Sequence, residues 1–483
     1  MLSALLDVWP LLLAASVPIL QACATVHVIL RKRNVRSAVG WVGLIWLAPV
    51  IGVVVYTLLG INRIQRKARA LQIDHAAYRG WIPAAAVGGA AVRDFLPRDR
   101  AHLAGLVPLG DRVCGRPLLD GNQVVALVDG EKAYPAMLEA IASAERSVSL
   151  VSYIFDAGKV GDHFTRALGD AVRRGVEVRV LVDDVGARHS TPRIARGLRR
   201  AGVRVAHFMP GIFRWRMPYF NLRNHRKIMV VDGRVAFTGG MNIRDEFWRG
   251  MDPGPVARDL HFRLEGPVVP EIQEAFANDW TFTTGEKLEG ATWFPTPSPC
   301  GRVMARGIID GPDIDYEKLE TMMLGALSVA SDSVRVITPY LLPDPALLTA
   351  LNIAALRGVD VEVIVPGKGN LALVQWASAA QLDQLLEKGV RIFASPPPFD
   401  HTKVMVVDRC WTLLGSANWD SRSLQLNFEF NVECYDVELG EAMDRLFEER
   451  KQASRPITLE AVHARPFPVK IRDGVARLFS PYL

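Results

Sequence analysis

The stretch His225–Asn242, "HRKIMVVDGRVAFTGGMN", is rewritten at His401–Asn418 as "HTKVMVVDRCWTLLGSAN", 176 residues further on (401 minus 225). Six of the first eight positions are identical: His, Lys, Met, Val, Val and Asp. In each copy the four apolar residues after the Lys read as a buried strand. His225 and Lys227 lie two apart, so they project from one face of an extended chain, and His401 and Lys403 do the same. Asp232 and Gly233 open a turn, "RVAFTG" (234–239) returns as the second strand of a hairpin, and Gly239 and Gly240 let the backbone come close. Asn242 is thereby placed beside His225. The second copy supplies Asp408, Gly415, Ser416 and Asn418 at the same offsets.

The duplication continues outward. "SVSLVSYIF" (147–155) and "EVRVLV" (177–182) read as buried strands joined by the amphipathic helix "HFTRALGDAVRRG". "SVRVITPYLL" (333–342), "LLTALNIAALRG" and "DVEVIV" (360–365) repeat that order. Strands alternating with helices imply parallel βαβ units with right-handed crossovers. The expected fold is α/β: two pseudo-twofold lobes, each a mixed sheet flanked by helices, over 117–290 and 302–483. They are joined by the Pro-rich "ATWFPTPSPCG" (291–301). The first lobe carries 11 extra residues before its His, since Gly202 to His225 is 23 and Gly389 to His401 is 12. That insertion mixes Ile212, Phe213, Trp215, Met217, Tyr219 and Phe220 with Arg214 and Arg216, which suits either a flap at a lipid headgroup boundary or a loop folded on its own lobe.

Totals point the same way. At 483 residues there is room for two soluble domains and something more. An apolar fraction of 49% and a mean hydropathy of +0.14 suggest that the surplus is membrane-associated. Residues 8–30 and 37–62 carry no formal charge, and each is long enough to cross a hydrocarbon core of about 30 Å as a helix. We therefore expect an N-terminal membrane hairpin over 1–62, with transmembrane segments at about 8–30 and 37–60, followed by a basic connector with one short helix over 63–116. Trp9, Trp41 and Tyr56 suit interfacial anchors. Pro10, Pro18 and Pro49 would kink the helices or delay their start. A signal peptide would need positive charge ahead of its apolar core, and only Asp7 precedes this one. Four basic residues flank each side of the second segment, so charge does not orient the pair. A net charge of +6 favours an anionic partner. Five scattered cysteines (Cys23, Cys114, Cys300, Cys410, Cys434) give neither a disulfide framework nor a zinc site.

A phosphodiester needs this set of groups. Cations must neutralise its oxygens before a nucleophile can approach, and Lys227 and Lys403 provide them. Asn242 and Asn418, with Ser416, add donors for the developing charge. One imidazole can bond to phosphorus and split the displacement into two easier steps, while the second handles protons. The two tasks fall on opposite faces of the phosphorus, which gives the duplication a chemical reason.

The pattern H-x-K-x4-D-x6-G-[GS]-x-N, present twice, resembles the phospholipase D superfamily. With the apolar N-terminus, "YIFD" (153–156), "ARDLHFRLEGP" (257–267), "TPYLLPD" (338–344), "LNFEFNVE" (426–433) and the terminal "RLFSPYL", it is similar to bacterial cardiolipin synthases of that superfamily. The resemblance implies phosphatidyl transfer from one phosphatidylglycerol to another through a phosphohistidine on His225, with release of glycerol and with His401 as acid and base. It implies catalytic motifs His225–Lys227–Asp232 and His401–Lys403–Asp408, the Asp residues holding hairpin turns and lobe contact rather than moving protons. It also implies carboxylates that orient the imidazoles, Glu429 for His401 and Asp259 for His225. Phosphatidylglycerol, cardiolipin and an anionic lipid surface are the implied partners, at a bacterial inner membrane with the lobes facing the cytoplasm. No metal, other cofactor or nucleic acid is expected, and the sequence does not specify an oligomeric state. Gly240 departs from the family, which usually places Ser there. A hydrolase or a transferase using another alcohol is the near alternative. A nuclease and a non-catalytic lipid-binding scaffold are more distant ones.

Overall fold

Each motif strand lies inside a run of seven strands, the two runs repeat one strand order, and in the second Arg455–Ile457 adds an eighth strand beside Arg391–Ser395. In the first lobe the order is Leu118–Val128, Leu260–Glu265, Val235–Gly239, Ile228–Val231, Ser147–Ser152, Glu177–Asp183, Arg204–Phe208. In the second it is Val303–Asp310, Asn427–Tyr435, Trp411–Gly415, Val404–Val407, Ser333–Ile337, Asp360–Pro366, Arg391–Ser395. The last three strands of each are parallel and the others antiparallel, so the sheets are mixed, as expected. These observations come from a computed structural model describing residues 2–32, 35–60, 86–184, 186, 193–209, 222–249, 256–313 and 315–483. The aromatic insertion at 212–220 lies outside the described residues, as does the start of the connector.

Helices cover the sheets through the spacing that their sequences announce. On Lys159–Arg173, Val160, Phe164, Leu168 and Ala171 fall on one face and are fully buried. On Pro345–Leu356, Leu347, Leu351 and Ala354 do likewise, and Asp344 caps the helix by accepting from Leu347 N.

Two features were not legible beforehand. Leu118–Val128 serves both lobes. Leu118 and Leu119 pair with Val87 and Ala86, Asn122 pairs with Val303 of the second-lobe sheet, and Gln123–Val128 pair with Glu265–Leu260 of the first. Gly121 adopts a φ of +82° at the changeover, where a Cβ would lie 2.7 Å from Pro299 Cβ. Asn122 seals the junction, donating to Leu119 O and Val303 O and accepting from Val268 N. The second feature corrects the expected connector. Within 86–114, Gly89–Phe95, Arg98–Gly105 and Leu106–Cys114 are helical, and Val92, Leu103, Leu106 and Val107 are buried in the second-lobe core. The segment belongs to that lobe because its apolar residues need the surface it offers.

The described residues between 2 and 60 fall in a compact unit of their own. Leu2–Arg31 is assigned as one continuous helix through Pro10 and Pro18. Val35–Leu47 is followed by Pro49–Val55, which starts afresh with Pro49 in its first turn. The helices are joined by Gln21 Nε2 donating to Ile45 O at 2.8 Å, His27 Nδ1 with the Tyr56 hydroxyl at 2.7 Å, and Trp46 Nε1 donating to Thr25 Oγ1 at 3.0 Å. Trp41 and Tyr56, expected as interface anchors, are in ring contact at 5.3 Å. Among the described residues no helix is long and apolar enough to cross a membrane, so the two expected spans are not shown. What is observed is a helical pair with Ile29, Leu30, Val39, Leu47 and Ile51 exposed.

Candidate functional site

The two motifs meet because each lobe lends a short parallel strand to the other. Arg223–Asn224 pairs with Asn427–Phe428, and Phe399–Asp400 pairs with Ala257–Arg258. His225 N then donates to Phe428 O at 2.9 Å, and His401 N donates to Arg258 O at 2.8 Å. Each histidine backbone is therefore held by the opposite lobe.

The orienting carboxylates follow the same exchange, and this overturns the pairing that the family resemblance implied. His225 Nδ1 meets Glu429 Oε1 at 2.9 Å, and His401 Nδ1 meets Asp259 Oδ2 at 2.9 Å. The expected pairing fails because the carbonyls beside the acids, Arg258 O and Phe428 O, hold the His of the opposite lobe. Both carboxylates are fully buried, while each histidine side chain keeps 10% of its surface open.

Residues flanking each His are anchored to a helix with polarity reversed between the lobes. Asn224 Nδ2 and Arg226 Nη1 donate to Asp279 on Val269–Thr284, at 2.7 and 2.6 Å. In the other copy the helix supplies the cation. Arg450, on Val437–Gln452, donates to Asp400 at 2.6 Å and to Thr402 Oγ1 at 2.7 Å. Arg226 also donates to Glu429 O and Asp310 O, so it ties the first motif to the second lobe. These anchors escaped the sequence reading. Aligning the copies at Asn224/Asp400 and Arg226/Thr402 would have exposed a swap of charge and pointed to compensating partners.

Lys227 and Lys403 each donate Nζ–H to the carbonyl of the His two residues before, at 2.6 Å. Asn242 accepts from Ile154 N at 3.2 Å through Oδ1, which fixes its amide orientation. Asn418 is buried and its Oδ1 has no hydrogen-bond partner among the described residues. Ser416 is placed differently from the expectation that it binds phosphate. Its hydroxyl donates to Glu429 Oε2 and accepts from Phe430 N.

Asp232 and Asp408 stand apart from the acid–base groups. Asp232 accepts from the N–H groups of Glu145, Arg146 and Ser147, and Asp408 from those of Ser331, Asp332 and Ser333 and from His102. They hold turns within their own lobes, not contacts between lobes. Both sit at positive φ, followed by Gly233 or Arg409 also at positive φ, the geometry of a tight hairpin turn.

Glycine at 240 has a physical reason. A Cβ there would lie 2.3 Å from Asp259 Oδ1. The second lobe has Ser416 and the longer Glu429 at the equivalent places. Serine and glutamate go together, as do glycine and aspartate.

That exchange of residues makes the two halves electrostatically unlike. Burial pushes Glu429 up, but His225, Lys227 and the Ser416 hydroxyl outweigh it, so the carboxyl is held below its ordinary value. Asp259 lacks such a hydroxyl, and burial pushes it up to about 8 against the pull of Lys403. Burial also lowers both imidazoles, His225 to about 4 and His401 well below the usual range, with the lysines adding to the effect. Lys403 is brought down to about 8 by burial. An ionised Glu429 accepts the Nδ1–H of a neutral His225 and leaves the lone pair on Nε2. The His401–Asp259 bridge instead retains a proton.

Comparison with known proteins now decides the family. A family model described as "Cardiolipin synthase, PLD-like domain" matches residues 137–280 and 323–451. The chain is 32% identical to a cardiolipin synthase of Geobacillus kaustophilus over 473 residues, covering 96% of this chain and 93% of that one. The chain belongs to the cardiolipin synthase family. It is also 31% identical to the major cardiolipin synthase ClsA of Bacillus subtilis, across 95% of this chain and 96% of that one. A phosphatidylserine synthase from Haemophilus influenzae shares the fold, with a TM-score of 0.61 and 13% identity over 78% of this chain and 100% of the other. In this cardiolipin synthase family member the surroundings of the two imidazoles are unlike. Beside His225 stand Tyr153, in ring contact at 5.1 Å, and Arg223, which is hydrogen bonded to Tyr153. Arg422 lies close enough to Arg223 that burial and their mutual repulsion lower it. Beside His401 stand Phe399 and Phe247, with ring centroids at 6.0 and 6.1 Å.

Proposed function

We propose that the cleft joins two phosphatidylglycerol molecules into cardiolipin by two displacements at one phosphorus. The crossed clasp of His225 by Glu429 and of His401 by Asp259 carries this reading, because it supplies one imidazole with a free lone pair and one proton-loaded bridge. His225 Nε2 bonds to phosphorus as the P–O bond to glycerol breaks, and the His401–Asp259 bridge gives its proton to the departing glyceroxide. His401 then takes the proton of the second lipid's terminal hydroxyl, whose oxygen displaces His225 and forms cardiolipin. Lys227, Lys403, Asn242 and Asn418 offset charge on the nonbridging oxygens. Imidazoles and ammonium groups suffice for each step. The helical pair at the N-terminus holds the chain at a bacterial inner membrane, a reading that its outward apolar residues support, and by family resemblance the lobes face the cytoplasm.

Reconstituted protein supplied with labelled phosphatidylglycerol is expected to yield cardiolipin and glycerol in equal amounts. Phosphatidic acid as the sole lipid product would instead identify a hydrolase, and nicking of single-stranded DNA a nuclease.

The rise of Asp259 to about 8 sets a pH limit. Its proton is present below that value and lost above it, so glycerol departure slows as pH rises through about 8. Lys403 discharges over the same range and acts in the same direction. kcat/KM should fall at least about tenfold per unit on the alkaline side, the slope of one proton, and more steeply where loss of the Lys403 proton adds to it. A flat profile to pH 10 would remove the bridge as proton donor.

Arg223 and Arg422 suit the phosphate of the accepting lipid, which a free small alcohol lacks. Arg422→Gln is expected to reduce transfer to phosphatidylglycerol about 10-fold to 100-fold, the worth of one charge-assisted pair, while transfer to added ethanol is retained. Equal loss with both acceptors would show that the arginines serve something else.

A further inference from the structure

From the C-terminal helix Phe467–Arg477 and the residues that follow it, the geometry points to a bilayer-contact surface that seats the mouth of the cleft on the membrane. This inference rests on the lipid-transfer reading for its substrate. Phe467, Ile471, Val475 and Leu478 recur at i, i+4, i+8 and i+11, a single stripe, and they are 75, 52, 51 and 75% exposed. Phe479 continues the stripe. The opposite side is fully committed: Ala476 is buried with Leu342 and Ala377, and Asp473 is buried between Arg465 and Arg472, at 2.7 Å from each. Leu371, just before Ala372–Ala379, and Leu373, within it, are also exposed, and that helix packs against the C-terminal one.

Three observations choose a lipid bilayer as the occupant. First, the charges the helix presents are basic, Lys470, Arg472 and Arg477, its one acid being the buried Asp473. An apolar stripe edged with cations is what an anionic lipid surface attracts. Second, the surface is continuous with the cleft. His401 touches Phe399, Phe399 touches Tyr340 at 6.4 Å, and the Tyr340 hydroxyl donates to Asn370 Oδ1 at 2.6 Å, immediately before Leu371. Third, the terminal turn Ser480–Tyr482 packs against Ser421–Gln425, the helix that carries Arg422. Lipids entering from a bilayer laid on this stripe would reach the imidazoles past Phe399 and Arg422.

The test uses the full chain in vesicles of phosphatidylglycerol and phosphatidylcholine, with Cys23 and Cys300 replaced by Ser. A bilayer-sensitive fluorophore on Ile471→Cys should be quenched by brominated acyl chains, and one on Glu438→Cys should not. The substitutions Phe467→Asp and Val475→Asp lie on exposed positions. They are expected to cut turnover of vesicle lipid about tenfold and to leave turnover of a water-soluble short-chain phosphatidylglycerol unchanged. Absence of quenching at 471, or equal loss on both substrates, would overturn the surface, as would crosslinking between copies through 471. If the unaltered protein made no cardiolipin from the short-chain lipid, the functional reading would fail, while the quenching would still report on the surface.

Discussion

His225→Ala is expected to abolish lipid transfer, a loss on the order of 10⁴-fold or more, because removing a nucleophile removes the covalent path rather than weakening it. His401→Ala should look nearly as severe with phosphatidylglycerol, since glyceroxide is too basic to leave unprotonated. The two variants separate when the leaving group needs no proton. With a p-nitrophenyl phosphodiester of the lipid, His401→Ala should still acquire label on the protein, at His225, and should release nitrophenolate in a burst. His225→Ala should do neither. Label retained by His225→Ala and lost by His401→Ala would reverse the roles assigned to the two imidazoles.

The second large effect concerns the carboxylates. Glu429→Gln is expected to slow transfer about 10²-fold to 10³-fold by leaving the Nδ1 hydrogen of His225 without a charged acceptor, an effect of the size seen when a preorganised electrostatic partner is lost. Its signature matters more than its size. Although Glu429 lies in the second lobe, Glu429→Gln should behave as a defect of His225: slow labelling even with the activated leaving group. Asp259→Asn, in the first lobe, should behave as a defect of His401: slow with phosphatidylglycerol and close to normal with the nitrophenyl ester. The opposite assortment would contradict the 2.9 Å contacts across the lobes.

The doubled motif made the paired sheets legible, because a buried four-residue strand, a turn and a returning strand leave little choice of geometry once they occur twice. His225, Lys227, Asn242 and their counterparts could be named for the same reason. Their partners could not. Which acid faces which imidazole depends on the exchange of Arg223–Asn224 and Phe399–Asp400 between sheets, and these two-residue strands carry no periodicity to read. Ser416 looked like a phosphate ligand because its neighbours in the motif are polar, and only the depth of Glu429 shows where the hydroxyl goes. Likewise, basic composition concealed the apolar spacing of Val92, Leu103 and Val107, which makes 86–114 part of a core.

Leu118–Val128 gives the molecule a property that its symmetry would not suggest. Because one uninterrupted backbone closes the edges of both sheets, neither half has a complete border of its own. Cutting the chain at 291–301 would release a C-terminal fragment with Val303 and Ala305 stripped of their neighbours Asn122 and Leu119, an open edge inviting aggregation. The halves are thus copies that can no longer be parted, and any loosening of one would be felt as a shift in the spacing between the two imidazoles.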